Sequence, residues 1–168
     1  MRTLIASTLL ATLATAQQAL FQPFGTGCTF NNLTLAIGNQ GLPHIGQSFQ
    51  VMYTGPNFTF SSGQQIAWPN LVLGLGQLST VIPAGFLPQQ PAGCQGYITG
   101  DVVMPTMPDP NGRPQYENFV TINVPNNPGL LGMNFNAQWL TIVQQCGFAG
   151  CNFSAVLTSD AALVQIGV

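Results

Sequence analysis

The sequence predicts an all-β fold, a two-sheet antiparallel β-sandwich of jelly-roll or Greek-key type with about eight strands. Three observations predict it. Apolar residues recur at every second position in short runs spread along the chain. No stretch beyond the first sixteen residues holds a 3.6-residue period. Nineteen glycines and 13 prolines break the alternating runs at close intervals.

The first element stands outside that fold. Met1-Arg2 is a minimal positive n-region, and Leu4 to Leu13 is apolar, padded with Ala and Thr. Ala14-Thr15-Ala16 is a small-x-small cleavage pattern, with Gln17 following. The apolar run is about ten residues, half of what a membrane span requires. Residues 1–16 are therefore expected to be a cleaved signal peptide. Residues 17–168, which number 168 − 16 = 152, are expected to form a single β-sandwich domain. No cysteine follows the cleavage site to carry a lipid, and no other segment is long and apolar enough for membrane insertion.

The strands follow in order. Leu33, Leu35 and Ile37 alternate with Thr34 and Ala36, and Phe49, Val51 and Tyr53 with Gln50 and Met52. Leu71, Leu73 and Leu75 follow Pro69, and Val120, Ile122 and Val124 flank Thr121 and Asn123. The clearest run is Leu131, Met133, Phe135, Ala137 and Trp139, interleaved with Gly132, Asn134, Asn136 and Gln138. It reads as a strand with one buried face and one polar face. Ala162, Val164, Ile166 and Val168 close the chain with another such set. The prolines are expected between these runs or at their ends, where a missing N–H does least harm.

Charge is nearly absent. Charged residues are 4% of the chain, against a usual share of about 25%. There is no lysine. Without Arg2, the domain holds Arg113 against Asp101, Asp109, Glu117 and Asp160, a balance of 1 − 4 = −3. One arginine cannot neutralise a phosphate backbone, so nucleic acid is excluded as a partner. A polybasic membrane patch is excluded for the same reason. Solubility must rest on Asn, Gln, Ser and Thr.

Cys28, Cys94, Cys146 and Cys151 are an even set, which in an oxidising compartment reads as disulfides. Four cysteines allow three pairings. Cys146 and Cys151 flank Gly147-Phe148-Ala149-Gly150, a loop able to close on itself, which leaves Cys28 with Cys94. Zinc is the rival reading, but the spacing lacks paired CxxC elements, and no metal or other cofactor is expected.

The order of several short motifs adds a resemblance. Gly25-Thr26-Gly27-Cys28 is followed by Leu42-Pro43-His44-Ile45-Gly46-Gln47-Ser48-Phe49, Leu71-Val72-Leu73-Gly74 and Pro91-Ala92-Gly93-Cys94. Then come Val124-Pro125, Leu131-Gly132, Gln138, Thr158-Ser159-Asp160-Ala161-Ala162-Leu163 and Ile166-Gly167. From about Gly25 to Gly167 the chain resembles an uncharacterised secreted β-sandwich domain common in planctomycetes and related environmental bacteria, where it often sits at the C-terminus of larger exported proteins. The resemblance implies a β-sandwich and a Cys28–Cys94 bridge, and it implies no catalytic mechanism. The Cys146/Cys151 pair departs from that pattern, as does a domain standing alone behind its signal.

Candidate chemistry is sparse. His44 is the only histidine and lies in a turn. A triad with Asp101 or Asp160 would need a serine elbow, and no Gly-x-Ser-x-Gly occurs. Four acids make a facing carboxylate pair for glycosidase work an unfavoured expectation. Asp109-Pro110-Asn111-Gly112 reads as a turn and lacks the repeated acids of a calcium loop. Trp68, Tyr97 and Tyr116 are the candidates for a sugar-stacking platform; Trp139 continues an apolar face and belongs to the core. Three Asn-x-Ser/Thr matches, at Asn32, Asn57 and Asn152, are near chance in an Asn-rich chain.

The expected function is a secreted, non-catalytic structural or interaction domain of the cell exterior, with self-assembly as one outcome. Edge strands normally carry lysine against edge-to-edge pairing, and this chain has none. Its expected partners are copies of itself or extracellular polysaccharide. A carbohydrate-binding, lectin-like module is the alternative, and a hydrolase is the third and least favoured reading.

Overall fold

A computed structural model describes residues 17–55, 65–106 and 118–168. The expected signal peptide at 1–16, the sequon at Asn57, the Asp109-Pro110-Asn111-Gly112 turn, Arg113, Tyr116 and Glu117 lie outside the described residues. Among the described residues the chain is all-β. The described residues hold no α-helix, and a 3-10 turn at Pro128–Leu130 is the one helical element among them.

The strands are β1 (Leu20–Phe24), β2 (Thr29–Phe30), β3 (Leu33–Thr34), β4 (Ala36–Gln40), β5 (Ser48–Thr54) and β6 (Gln65–Gly74). They continue with β7 (Gln77–Val81), β8 (Gln95–Ile98), β9 (Val102–Pro105), β10 (Phe119–Asn123), β11 (Asn134–Gly147) and β12 (Gly150–Gln165). A five-stranded sheet has the order β1-β12-β11-β6-β9, and a three-stranded sheet the order β10-β5-β4. Two ribbons, β2-β3 and β7-β8, complete the set, and every strand pair is antiparallel. The arrangement is consistent with a β-sandwich.

The core lies between the two sheets. Alternation puts Phe49, Val51 and Tyr53 of β5 on one inner face, and Leu71 of β6 with Ala137, Trp139 and Val143 of β11 on the other. Trp139 is fully buried, its ring edge-on to Tyr53 with centroids 5.3 Å apart. Its indole N–H donates to the Met52 carbonyl at 2.8 Å, so the one polar atom of the side chain is satisfied across the layers. Thr141 donates to the Tyr53 hydroxyl at 3.1 Å beside it.

Several expectations are refined by local chemistry. The Leu33–Ile37 run is two strands, β3 and β4, broken at Leu35, whose N–H donates to the Cys28 carbonyl at 2.9 Å; ahead of it Asn31 and Asn32 take positive φ (50° and 64°) and form the two-residue turn of the β2-β3 hairpin. Asparagine tolerates that region better than other non-glycine residues. Leu131 caps the 3-10 turn and Met133 follows it, so the strand begins at Asn134. Pro69 sits inside β6, against the expectation that prolines mark strand ends. Its carbonyl accepts from the Thr106 backbone N–H and from Thr106 Oγ1 at 2.9 Å. N–H and C=O of one strand residue point to the same side, so the missing donor faces Thr106 and no bond to β11 is lost.

The edge of β12 is guarded without lysine. β1 pairs with Ala161–Gln165. Beyond it, Cys28 N–H donates to the Thr158 carbonyl at 2.7 Å. Farther along, the Gln90 carboxamide imitates a strand, accepting from Val156 N–H at 2.9 Å and donating to the Val156 carbonyl at 2.8 Å. Gln89 N–H then takes the Ser154 carbonyl. Three separate segments therefore close an edge that would otherwise template pairing.

Candidate functional site

Of the polar face expected on β11, Asn134 is exposed but its continuation is covered. Asn136 and Gln138 are each 4% exposed, because the β7-β8 ribbon lies over the outer face of the large sheet. Gln138 is the hub of this layer. Its Oε1 accepts from Tyr97 N–H at 2.9 Å, and its Nε2 donates to the carbonyls of Gln95 (2.9 Å) and Ser159 (2.7 Å). Thr158 Oγ1 accepts from Gln95 N–H, and the buried Cys28–Cys94 disulfide ties the same region. A cavity of about 170 Å³ remains beneath the ribbon, walled by Val72, Ile82, Ile98, Leu140 and Gln138. It is an interlayer gap with mixed lining.

Both disulfides pair as expected, Cys28 with Cys94 and Cys146 with Cys151. Two disulfides are compatible with an extracellular protein. Among the described residues no helix is long and apolar enough to cross a membrane.

The aromatic candidates do not form one platform. Trp68, 41% exposed, stands on the outer face of β6, where alternation with buried Ala67 and Pro69 places it. Tyr97 reaches the other way, toward β1. Its hydroxyl accepts from Thr26 N–H at 3.0 Å and its ring meets Phe24 edge-on at 6.1 Å. The ring also covers Gly25, where a Cβ would lie 2.7 Å from Cζ and where φ is +79°. Trp68 thus stands on β6, while Tyr97 belongs to β8 and its ring lies against β1, which β11 and β12 separate from β6 in the large sheet. Tyr116 lies outside the described residues.

The triad and carboxylate readings find no assembled site among the described residues. His44 makes a backbone bridge to Gly167, and its imidazole has no hydrogen bond to a carboxylate or hydroxyl there. Asp101 accepts from Leu75 N–H (2.8 Å) and Thr99 Oγ1 (3.0 Å), capping a turn. Asp160 accepts from Ile37 N–H at 2.7 Å, and burial pushes its carboxyl above the usual range. No group of three His, Cys, Asp or Glu side chains among the described residues is placed to hold a metal.

Two apolar features remain; the sequence pattern carried no sign of the first and marked only the closed loop of the second. The first is a groove of about 270 Å³ at the end of the sandwich where β11 begins. Leu73, Leu75, Val102, Ile122 and Phe135 line it, with Asp101 at its rim. Leu75 is 76% exposed. The second is the tip of the β11-β12 hairpin. Cys146 and Cys151 face each other across the strands, Gly147 pairs with Gly150, and Phe148-Ala149 makes the two-residue loop. The disulfide clamps this turn, and Phe148 reaches 112% of its reference exposure. Phe153 beside it is also exposed.

No family model, no curated protein and no solved structure matches the chain.

Proposed function

We propose that the chain is a secreted, non-catalytic interaction domain of the cell exterior that assembles through uncharged, apolar contacts. The clamped Phe148 is the observation that carries this reading. A phenyl ring held in water by a covalently closed turn gains nothing for the fold, whereas a partner would bury about 150–250 Å² of it. The signal-like residues 1–16 and the near absence of charge support the same reading. The resemblance of its motif order to secreted planctomycete domains supports it as well. The passages from β5 to β6, from β9 to β10 and from β10 to β11, each between the two large sheets, support a sandwich of Greek-key or jelly-roll type.

Sedimentation of the purified, disulfide-bonded protein over rising concentration tests the proposal. Reversible association is expected, and a strict monomer up to millimolar concentration refutes it.

Carbohydrate binding is the second reading, and exposed Trp68 beside half-buried Asn70 is what favours it. A glycan array with the native protein and a Trp68→Ala control decides it. Silence across the array removes it.

A further inference from the structure

We infer that the Phe148 tip of one copy seats in the apolar groove of a second copy, so that the chain assembles head to tail along the axis of β11. This rests on the self-assembly reading above and names its contact.

Register supplies the first argument. Phe135 lines the groove one residue inside the start of β11 at Asn134, and Phe148 follows the end of β11 at Gly147. At about 3.3 Å per residue the two features lie roughly 40 Å apart, at opposite ends of the same strand. A protrusion at one end and a recess at the other form a heterologous pair. Such a pair repeats as an open row unless its rotation closes a ring. One molecule cannot satisfy itself, because its own tip points away from its own groove.

Size and chemistry supply the second. An apolar cavity of about 150 Å³ already accepts benzene. The groove offers about 270 Å³. Leu73, Leu75, Val102, Ile122 and Phe135 present hydrocarbon to it, which is the surface a phenyl ring requires.

Charge supplies the third. The tip from Gln144 to Phe153 carries no ionisable side chain apart from its bridged cysteines. The charge at the groove is that of Asp101, held to Leu75 N–H and Thr99 Oγ1. No like-charge repulsion opposes the approach. The disulfide also fixes the turn before contact, so little ordering is left for association to oppose.

One ring buries far less than the roughly 800 Å² per partner of a stable interface. Association is therefore expected to be weak and concentration-dependent in solution, growing as rows rather than stopping at dimers.

The test uses the disulfide-bonded protein and two surface variants, Phe148→Ser at the tip and Leu75→Glu at the groove. Both positions are exposed, and far-UV circular dichroism checks that each variant folds. Each substitution is expected to weaken association about ten- to hundredfold in sedimentation equilibrium. Mixing the two variants is the decisive arm. Each retains the half that the other lacks, so the mixture is expected to form dimers and no longer rows. Oligomers that persist unchanged in both variants overturn the knob-in-groove contact and leave the assembly reading standing. A native protein that stays monomeric overturns both. Phe148-dependent binding to neutral phosphatidylcholine vesicles without self-association also overturns the inference, by assigning the tip to a lipid surface.

Discussion

Replacing Gln138 by leucine tests whether the outer layer is held by backbone-imitating amides. The carboxamide makes three bonds at a site 4% exposed: one accepted from Tyr97 N–H, two donated to the carbonyls of Gln95 and Ser159. Leucine is similar in bulk and makes none of them. Each backbone group left dry and unpaired costs about 1–3 kcal/mol. Three groups give at least about 3 kcal/mol, a large share of a typical stability of 5–15 kcal/mol. At 2–4 °C per kcal/mol for a domain of this size, Tm falls by roughly 6–12 °C. The loss has a location as well as a size. Gln95 and Tyr97 belong to β8, so the β7-β8 ribbon should loosen before the sandwich does, tethered by the Cys28–Cys94 bridge. Urea unfolding followed by tryptophan fluorescence reads the global term, since Trp139 lies in the inner core. Amide hydrogen exchange at Tyr97 reads the local one. A Tm shift under about 2 °C with Tyr97 exchange unchanged would refute the reasoning. Water or rearranged backbone would then be satisfying these groups, and the glutamine would not be the hub.

Three further outcomes are expected. Burial pushes the Tyr53 hydroxyl up to about 12 against Thr141's opposing hydrogen bond, so the native state keeps a proton that the unfolded chain loses above pH 10. Stability should fall between pH 10 and 12 by about 2–3 kcal/mol; Tyr53→Phe should flatten that slope in urea midpoints measured across the range. Asp160 is raised chiefly by burial, so the folded state resists an ionisation that the unfolded chain undergoes readily, and stability declines as pH rises above the ordinary carboxylate range. Asp160→Asn keeps an acceptor for Ile37 N–H, so thermal scans at several pH values should show a variant more stable than the native protein at neutral pH and flatter in profile. Removing the Cys28–Cys94 bridge, with a separation of 66 residues, should cost about 4 kcal/mol in chemical denaturation. Removing Cys146–Cys151, with a separation of 5, should cost about 2 kcal/mol and free the tip. Equal losses from the two would contradict the chain-entropy account.

The alternating runs were legible because a strand has a strict period of two. Phe49, Val51 and Tyr53 in β5 and Phe135, Ala137 and Trp139 in β11 point inward as their spacing requires. The groove was not legible. Leu73, Val102, Ile122 and Phe135 come from four strands distant in sequence, and only the pairing of β6 with β9 and β11 brings three of those strands together. The tip was half legible. The cysteine spacing marked a loop able to close, but the exposure of Phe148 depends on β11 and β12 pairing out to Gly147 and Gly150.

The sequence by itself determined the all-β class, the set of residues sharing each strand face, the near absence of charge and a cysteine spacing from which the pairing could be read. These are local or compositional properties, and one chain carries them without reference to any neighbour. Tertiary structure alone decided what covers each face. Asn136 and Gln138 read as a solvent-facing row, yet the β7-β8 ribbon buries them. Periodicity states which side chains lie together on a strand. It is silent on whether water or another layer meets them, and that choice turned a polar face into a hydrogen-bonded seam and left Phe148 exposed at the far end of the same strand.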